Sequence, residues 1–260
     1  MTTTPSLFLS HGAPSLIFED VPARTFLEGL FAPGSGFEVP RAVVVASAHW
    51  ITREPAVDPS TAPRTVHDFS GFAPELSRVQ YFAPGSPELA REIVDELARH
   101  GIPATPRERG LDHGAWVPLA LALPGADVPV LQVSVQPHLG AEHHVRLGRA
   151  LAAFRERGVM VVGSGSATHD LRELLPPGSP RPDWVRAFGD WLVAAVERGD
   201  EEALVDYRRR APFAARNHPT EEHYVPLLVA AGAAGVNARG RTLHRSHTYG
   251  VLEMTAFAFD

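Results

Sequence analysis

Histidine offers this 260-residue sequence most of its chemistry: 13 are present, beside no cysteine at all. Without thiols, thiolate zinc sites, iron–sulfur clusters, disulfide frameworks and cysteine nucleophiles are excluded together. All 24 Lys+Arg residues are arginine, which removes Schiff-base and pyridoxal chemistry and the lysine of a phosphate-binding P-loop. Imidazole and carboxylate remain, a donor set that suits Zn²⁺ or Fe²⁺.

Position separates the histidines. His11 directly follows the strand-like run S-L-F-L-S, and His49 directly follows A-V-V-V-A-S-A. His169 comes shortly after V-M-V-V-G. All three are thus expected just past the C-terminal ends of buried strands, where an open α/β sheet gathers its ligands. His113 lies in G-L-D-H-G-A-W, where Asp112 either orients the ring or caps the helix that follows. His223 falls in N-H-P-T-E-E-H-Y-V-P-L, at the first turn of a predicted helix, with Glu221 or Glu222 as alternative carboxylate ligands. His218 is five residues away and off that helical face. His67, in T-V-H-D-F-S-G-F, is placed as an entrance residue. His100, His138, His143, His144, His244 and His247 read as structural or solvated, with His100 suited to a helix C-terminus.

The elements that must hold these residues alternate along the chain. Strands are expected over Ser6–Ser10, Ala42–Ala46, Val128–Val135, Val159–Gly163 and Tyr249–Phe259. Helical patterns cover Val21–Leu30, Pro87–Arg99, Ala115–Leu123, Ala141–Arg157, Asp183–Arg198, Glu201–Arg210 and Glu221–Ala231. Near-continuous apolar strands separated by amphipathic helices imply a sheet covered on both faces. We therefore expect one three-layer α/β/α domain, residues 1–260, around a mostly buried mixed sheet. Long loops from Trp50 to about Ser86 and from Pro103 to Gly114 are assigned to function. G-S-G-S-A at Gly163–Ala167 is not a nucleophile elbow; it reads as a tight turn that lets backbone approach a ligand.

A net charge of −6 with no basic run argues against nucleic acid as a partner. No run of about 18 apolar residues offers a membrane span. The N-terminus lacks a charged-then-apolar order, so a cytoplasmic location is expected. There is no H-E-x-x-H zinc motif. No feature of the sequence dictates an oligomeric state.

The succession L-F-L-S-H-G-A-P, V-V-A-S-A-H-W, H-D-F-S-G-F, Y-F-A-P-G-S-P, L-D-H-G-A-W, S-A-T-H-D-L and H-P-T-E-E-H-Y-V-P-L-L resembles the 4,5-DOPA extradiol dioxygenase family of class III ring-cleavage dioxygenases. The resemblance spans Ser6 to Leu228 and implies an α/β/α domain with one metal ion: Fe(II) for catalysis, often zinc in isolated protein. It implies His11, His49 and His223 as metal ligands. His169 would be the acid–base group and a possible further ligand, and His113 a contact to substrate or O₂. Trp50 and Phe72 are candidates for an aromatic wall, and Asp112 and Asp170 for acceptors of imidazole N–H groups. The implied substrates are O₂ and a small aromatic diol, DOPA-like or another substituted catechol. The alternative is a zinc hydrolase in which the same histidines activate water.

Overall fold

Four apolar runs too hydrophobic to face water on either side set the centre of the molecule. In the computed structural model, which describes residues 3–260, they are strands β1 (Ser6–Ser10), β2 (Ala42–Ile51), β5 (Val130–Val135) and β6 (Val159–Gly165). Between β2 and β5 lie the two-residue strands β3 (Ala56–Val57) and β4 (Thr105–Pro106). After β6 come β7 (Gly240–His244), β8 (His247–Thr248), β9 (Leu252–Glu253) and β10 (Ala256–Phe259). Eight of them form one sheet in the order β4-β3-β5-β2-β6-β1-β10-β7, with β8 and β9 paired apart from it. The four central strands are mutually parallel, while β10 runs antiparallel to β1 and β7.

The helices are α1 (Pro22–Glu28), α2 (Pro87–Arg99), α3 (His113–Ala122), α4 (Ala141–Arg155), α5 (Asp183–Arg198), α6 (Glu201–Val205), α7 (Tyr207–Arg210), α8 (Ala214–Asn217) and α9 (Val225–Ala233). Strand side chains alternate between two cores, as a pleated sheet requires. Leu7, Leu9, Val43, Val45, Met160 and Val162 pack with α1 and α3. Val44, Ala46 and Val161 pack with α2, α4 and α9, and Phe8 packs with α5 and α9. The fold is a three-layer α/β/α arrangement about a mixed sheet.

Several boundaries depart from expectation for local reasons. The helix expected from Glu221 begins at Val225, which puts Pro226 in the first turn, where its missing N–H costs no intrahelical hydrogen bond. The run Glu201–Arg210 divides into two short helices at Asp206. Tyr249–Phe259 is not one strand: Tyr249 and Gly250 both have positive φ and turn the chain, so β9 pairs with β8 and only β10 enters the sheet. β2 continues to Ile51, so His49 lies within that strand and not beyond it. The last β2 residue paired with β6 is Ser47, opposite Ser164, so His49 still projects past that neighbour.

Glycine fixes how closely α9 sits on the sheet. A Cβ on Gly163 would lie 2.0 Å from the Pro226 carbonyl oxygen, and one on Gly165 would lie 2.2 Å from that of His223. The G-S-G segment, expected as a turn that admits a ligand, is instead the end of β6, and what approaches it is the protein's own backbone. On the far side of α9, a Cβ on Gly148 would lie 2.1 Å from the Val229 oxygen, and one on Gly232 would lie 2.2 Å from that of Val145. Gly165→Ala should destabilise the fold by about 1–3 kcal/mol, read as a lower thermal midpoint. Gly29→Ala, where the nearest atom is 3.4 Å away, should be within about 0.5 kcal/mol of the parent.

Candidate metal centre

Five imidazoles meet at the C-terminal edge of the parallel strands. His11 follows the last residue of β1, and its backbone N–H donates to the Gly165 oxygen at 3.0 Å. Gly12 takes φ +67° immediately after it and turns the chain away. His49 comes from the protruding end of β2, and His113 opens α3, which Asp112 caps by accepting from the Ala115 N–H. His169 lies in the loop after β6, its N–H donating to the Asn217 oxygen at 2.7 Å. His223 sits in the turn before α9, its carbonyl accepting from the Ser166 N–H at 3.0 Å. All five histidines singled out in the sequence are thus brought together.

Three Nε2 atoms converge. That of His49 lies 3.0 Å from His11 Nε2 and 3.3 Å from His223 Nε2. The outer two rings have fixed tautomers. Ser164 Oγ donates its one proton to the Gly114 oxygen, so at 2.9 Å it accepts from His11 Nδ1. Glu222 Oε1 accepts from His223 Nδ1 at 3.1 Å. Both Nε2 atoms therefore present lone pairs. Burial first, then the neighbouring imidazoles, hold His11 and His223 well below the usual imidazole pKa, which keeps them in the neutral, metal-binding form. His49 is lowered to about 3, again chiefly by burial. Nitrogens 3.0–3.3 Å apart match two ligands on one ion at bond lengths of about 2.1 Å. The donor set fits a divalent cation.

The other two imidazoles flank this triad. The His113 ring lies 3.8 Å from that of His49, between centroids and at 44°, so it meets His49 obliquely. The potential ligand atoms of His11, His49 and His113 all lie within 4.8 Å of one another, as do those of His169, Glu222 and His223. His113 is held by Asp68, whose Oδ1 accepts from its ring Nδ1 at 2.9 Å and from its backbone N–H at 3.1 Å. Burial pushes the Asp68 carboxyl up, but the His113 hydrogen bonds outweigh it and hold the pKa at about 2. His169 stacks on His223 at 3.4 Å and 11°, and burial lowers its pKa against the pull of Glu222 and Asp170.

Several supporting expectations change. Neither Asp112 nor Asp170 meets an imidazole N–H. Asp112 accepts from the Ser47 hydroxyl and caps α3, and Asp170 pairs with Arg172. Asp68 and Ser164 take that role instead, together with Glu222, which the sequence offers as an alternative ligand. Asp68 stood beside His67 in the H-D-F motif and Ser164 inside G-S-G-S-A, but no spacing rule connects either to a distant histidine. His67 is engaged with the Val79 oxygen at 2.9 Å. Trp50 is buried, whereas Phe69 meets His113 edge-on at 5.8 Å and Phe72 packs on Phe69. His218 is fully buried behind the site and donates from Nε2 to the Ala167 oxygen at 3.0 Å. His144 is also buried: Nδ1 donates to the Gly140 oxygen and Nε2 accepts from the Gln136 N–H.

Residues 30–259 match the family described as the catalytic LigB subunit of aromatic ring-opening dioxygenase. The chain belongs to that family and is an extradiol aromatic ring-opening dioxygenase. A relative from Beta vulgaris named 4,5-DOPA dioxygenase extradiol is 42% identical, over 98% of this chain and 96% of its own length. One of the same name from Portulaca grandiflora is 37% identical, over 98% and 95%. The crystal structure of an uncharacterized Escherichia coli K12 protein superposes with a TM-score of 0.80 at 33% identity, covering 99% of this chain and all of that one. Among the described residues no helix is long and apolar enough to cross a membrane.

The two buried histidines outside the triad, His144 and His218, give a pH prediction. Burial lowers both His144 and His218 to about 3, against about 6.5 in the unfolded chain. The unfolded chain then binds more protons between those values, so stability is full above pH 6.5 and is lost as pH falls toward 3. Each ring contributes a slope of up to about 1.4 kcal/mol per pH unit. Denaturant midpoints of metal-free protein should be level above pH 7 and fall steadily below 6.5. A level profile down to pH 4.5 would contradict neutral burial of these rings.

Proposed function

We propose that the protein opens the ring of a small catechol, DOPA-like or otherwise substituted, with O₂ as co-substrate and Fe(II) held by His11, His49 and His223. The observation that carries this reading is the convergence of three Nε2 atoms, two with their Nδ1 protons tied to Ser164 and Glu222. His223 is preferred to His113 as third ligand because its Nε2 lies 3.3 Å from that of His49, whereas the His113 ring meets His49 obliquely and is tied to Asp68. Bound iron would supply the redox-active centre at which catechol and O₂ are brought together; zinc suits the same donors and would occupy isolated protein. Residues 1–260 are taken as one catalytic domain.

The remaining groups divide the work of holding and moving protons. His169, stacked beside His223 and kept neutral by burial, is placed to accept a catechol hydroxyl proton and return it later. His113, anchored by Asp68 through Nδ1–H, presents its other nitrogen as an acceptor for a substrate hydroxyl. Phe69 and Phe72 supply an aromatic surface next to His113.

Reduced-iron protein given a panel of catechols in air should consume one O₂ per ring and form yellow ring-opened products. Ester or amide turnover under zinc, with no oxygen uptake on any catechol, would replace this reading by a hydrolase. His11→Ala, His49→Ala and His223→Ala should each lose bound metal. His169→Ala should keep it and lose about 10²–10⁴-fold in turnover. A His169→Ala protein as empty of metal as the other three would make His169 a ligand.

A further inference from the structure

His49 Nε2 sits between two lone pairs, and its own proton decides what can happen there. A neutral imidazole carries one N–H. On Nε2, that proton would bond to His11 or His223 and knit the triad into a closed histidine cluster. On Nδ1, it would leave three lone pairs facing one centre. Ser164 and Glu222 settle the question for the outer rings, but neither touches His49.

Asp68 does face it. While Oδ1 accepts twice from His113, Oδ2 lies 3.6 Å from His49 Nδ1. Among the described residues no acceptor is hydrogen-bonded to that nitrogen. We propose that Asp68 is the positioning residue of the site: its two oxygens select the Nδ1–H tautomer of His113 and His49 together, leaving both Nε2 atoms free toward the centre. The carboxylate is 15% exposed, and low surrounding polarity strengthens its attraction for an N–H. The loop bearing Asp68 is fastened to the start of α3 by Val66 N–H to the Leu111 oxygen at 2.7 Å and Trp116 Nε1–H to the Val66 oxygen at 3.1 Å. One carboxylate on a secured loop thus keeps the triad open. The inference rests on His49 being a ligand.

Asparagine at this position should do more harm than alanine. The two N–H groups of His113 demand the amide oxygen, which turns the NH₂ toward His49 Nδ1 and favours the wrong tautomer. Alanine leaves room for water, which can still accept. Imidazole ¹⁵N shifts of metal-free protein should show His49 as Nδ1–H in the parent and as Nε2–H in Asp68→Asn. Zinc titration should show Asp68→Asn weakened about 10–100-fold, and Asp68→Ala by less. Should Asp68→Asn fail to fold, as judged by circular dichroism, Asp68→Ala carries the test through a mixed His49 tautomer. An Nε2–H tautomer in the parent would overturn the proposal. So would unchanged tautomers with zinc affinity within twofold of the parent. Neither readout needs ring cleavage, so absent catechol turnover would count against the function and not against Asp68.

Discussion

Everything in this molecule serves to hold neutral imidazole nitrogens closer together than they would remain in water. With His49 as the Nδ1–H tautomer, its Nε2 lone pair and those of His11 and His223 repel, and burial removes the solvent that would relieve them by protonation. The arrangement persists because His11 and His223 are anchored from behind by hydrogen bonds while Asp68 faces His49, and these three partners belong to different parts of the chain. Ser164 belongs to β6, Glu222 to the turn before α9, and Asp68 to the long loop after β3. A divalent cation converts the repulsion into coordination, so the energy stored in packing becomes affinity.

The parallel sheet makes this possible. β1 and β2 both flank β6 and end at the same edge, so His11 and His49 arrive from two sides of Ser164. The His223 turn crosses over the end of β6 and is bonded to it through Ser166. His113 is set by a helix cap, and His169 by a hydrogen bond to Asn217. The site therefore draws on strands, a helix start and two turns, and no single segment could adopt it alone.

Much of this was legible in the sequence, for a physical reason. Buried parallel strands are continuous apolar runs, and a polar aromatic residue directly after one has few structural uses. His11, His49 and His169 stood out on that ground, and His113 and His223 through their motifs. What could not be read were contacts across large sequence separations through irregular backbone. Asp68 reaches His113 from a loop, and no periodicity announces such a pairing. The helix after His223 starts four residues later than its pattern suggests, at Val225, with Pro226 in its first turn. His144 reads from sequence as structural or solvated, and the structure selects the first: the ring is buried with both nitrogens hydrogen-bonded.

The glycines around α9 bear on how the protein could be altered. Gly163 and Gly165 on one side and Gly148 and Gly232 on the other leave no space for a methyl group between this helix and its neighbours. The placement of His223 is thus encoded by atoms that are missing, at positions that carry no chemistry themselves. Changes of substrate can be sought in the loops bearing Phe69 and Phe72, where side chains reach outward. The helix behind the site offers no such latitude: its variation is confined to neighbours that already have side chains. Adaptability and rigidity are therefore segregated to opposite sides of the same five rings.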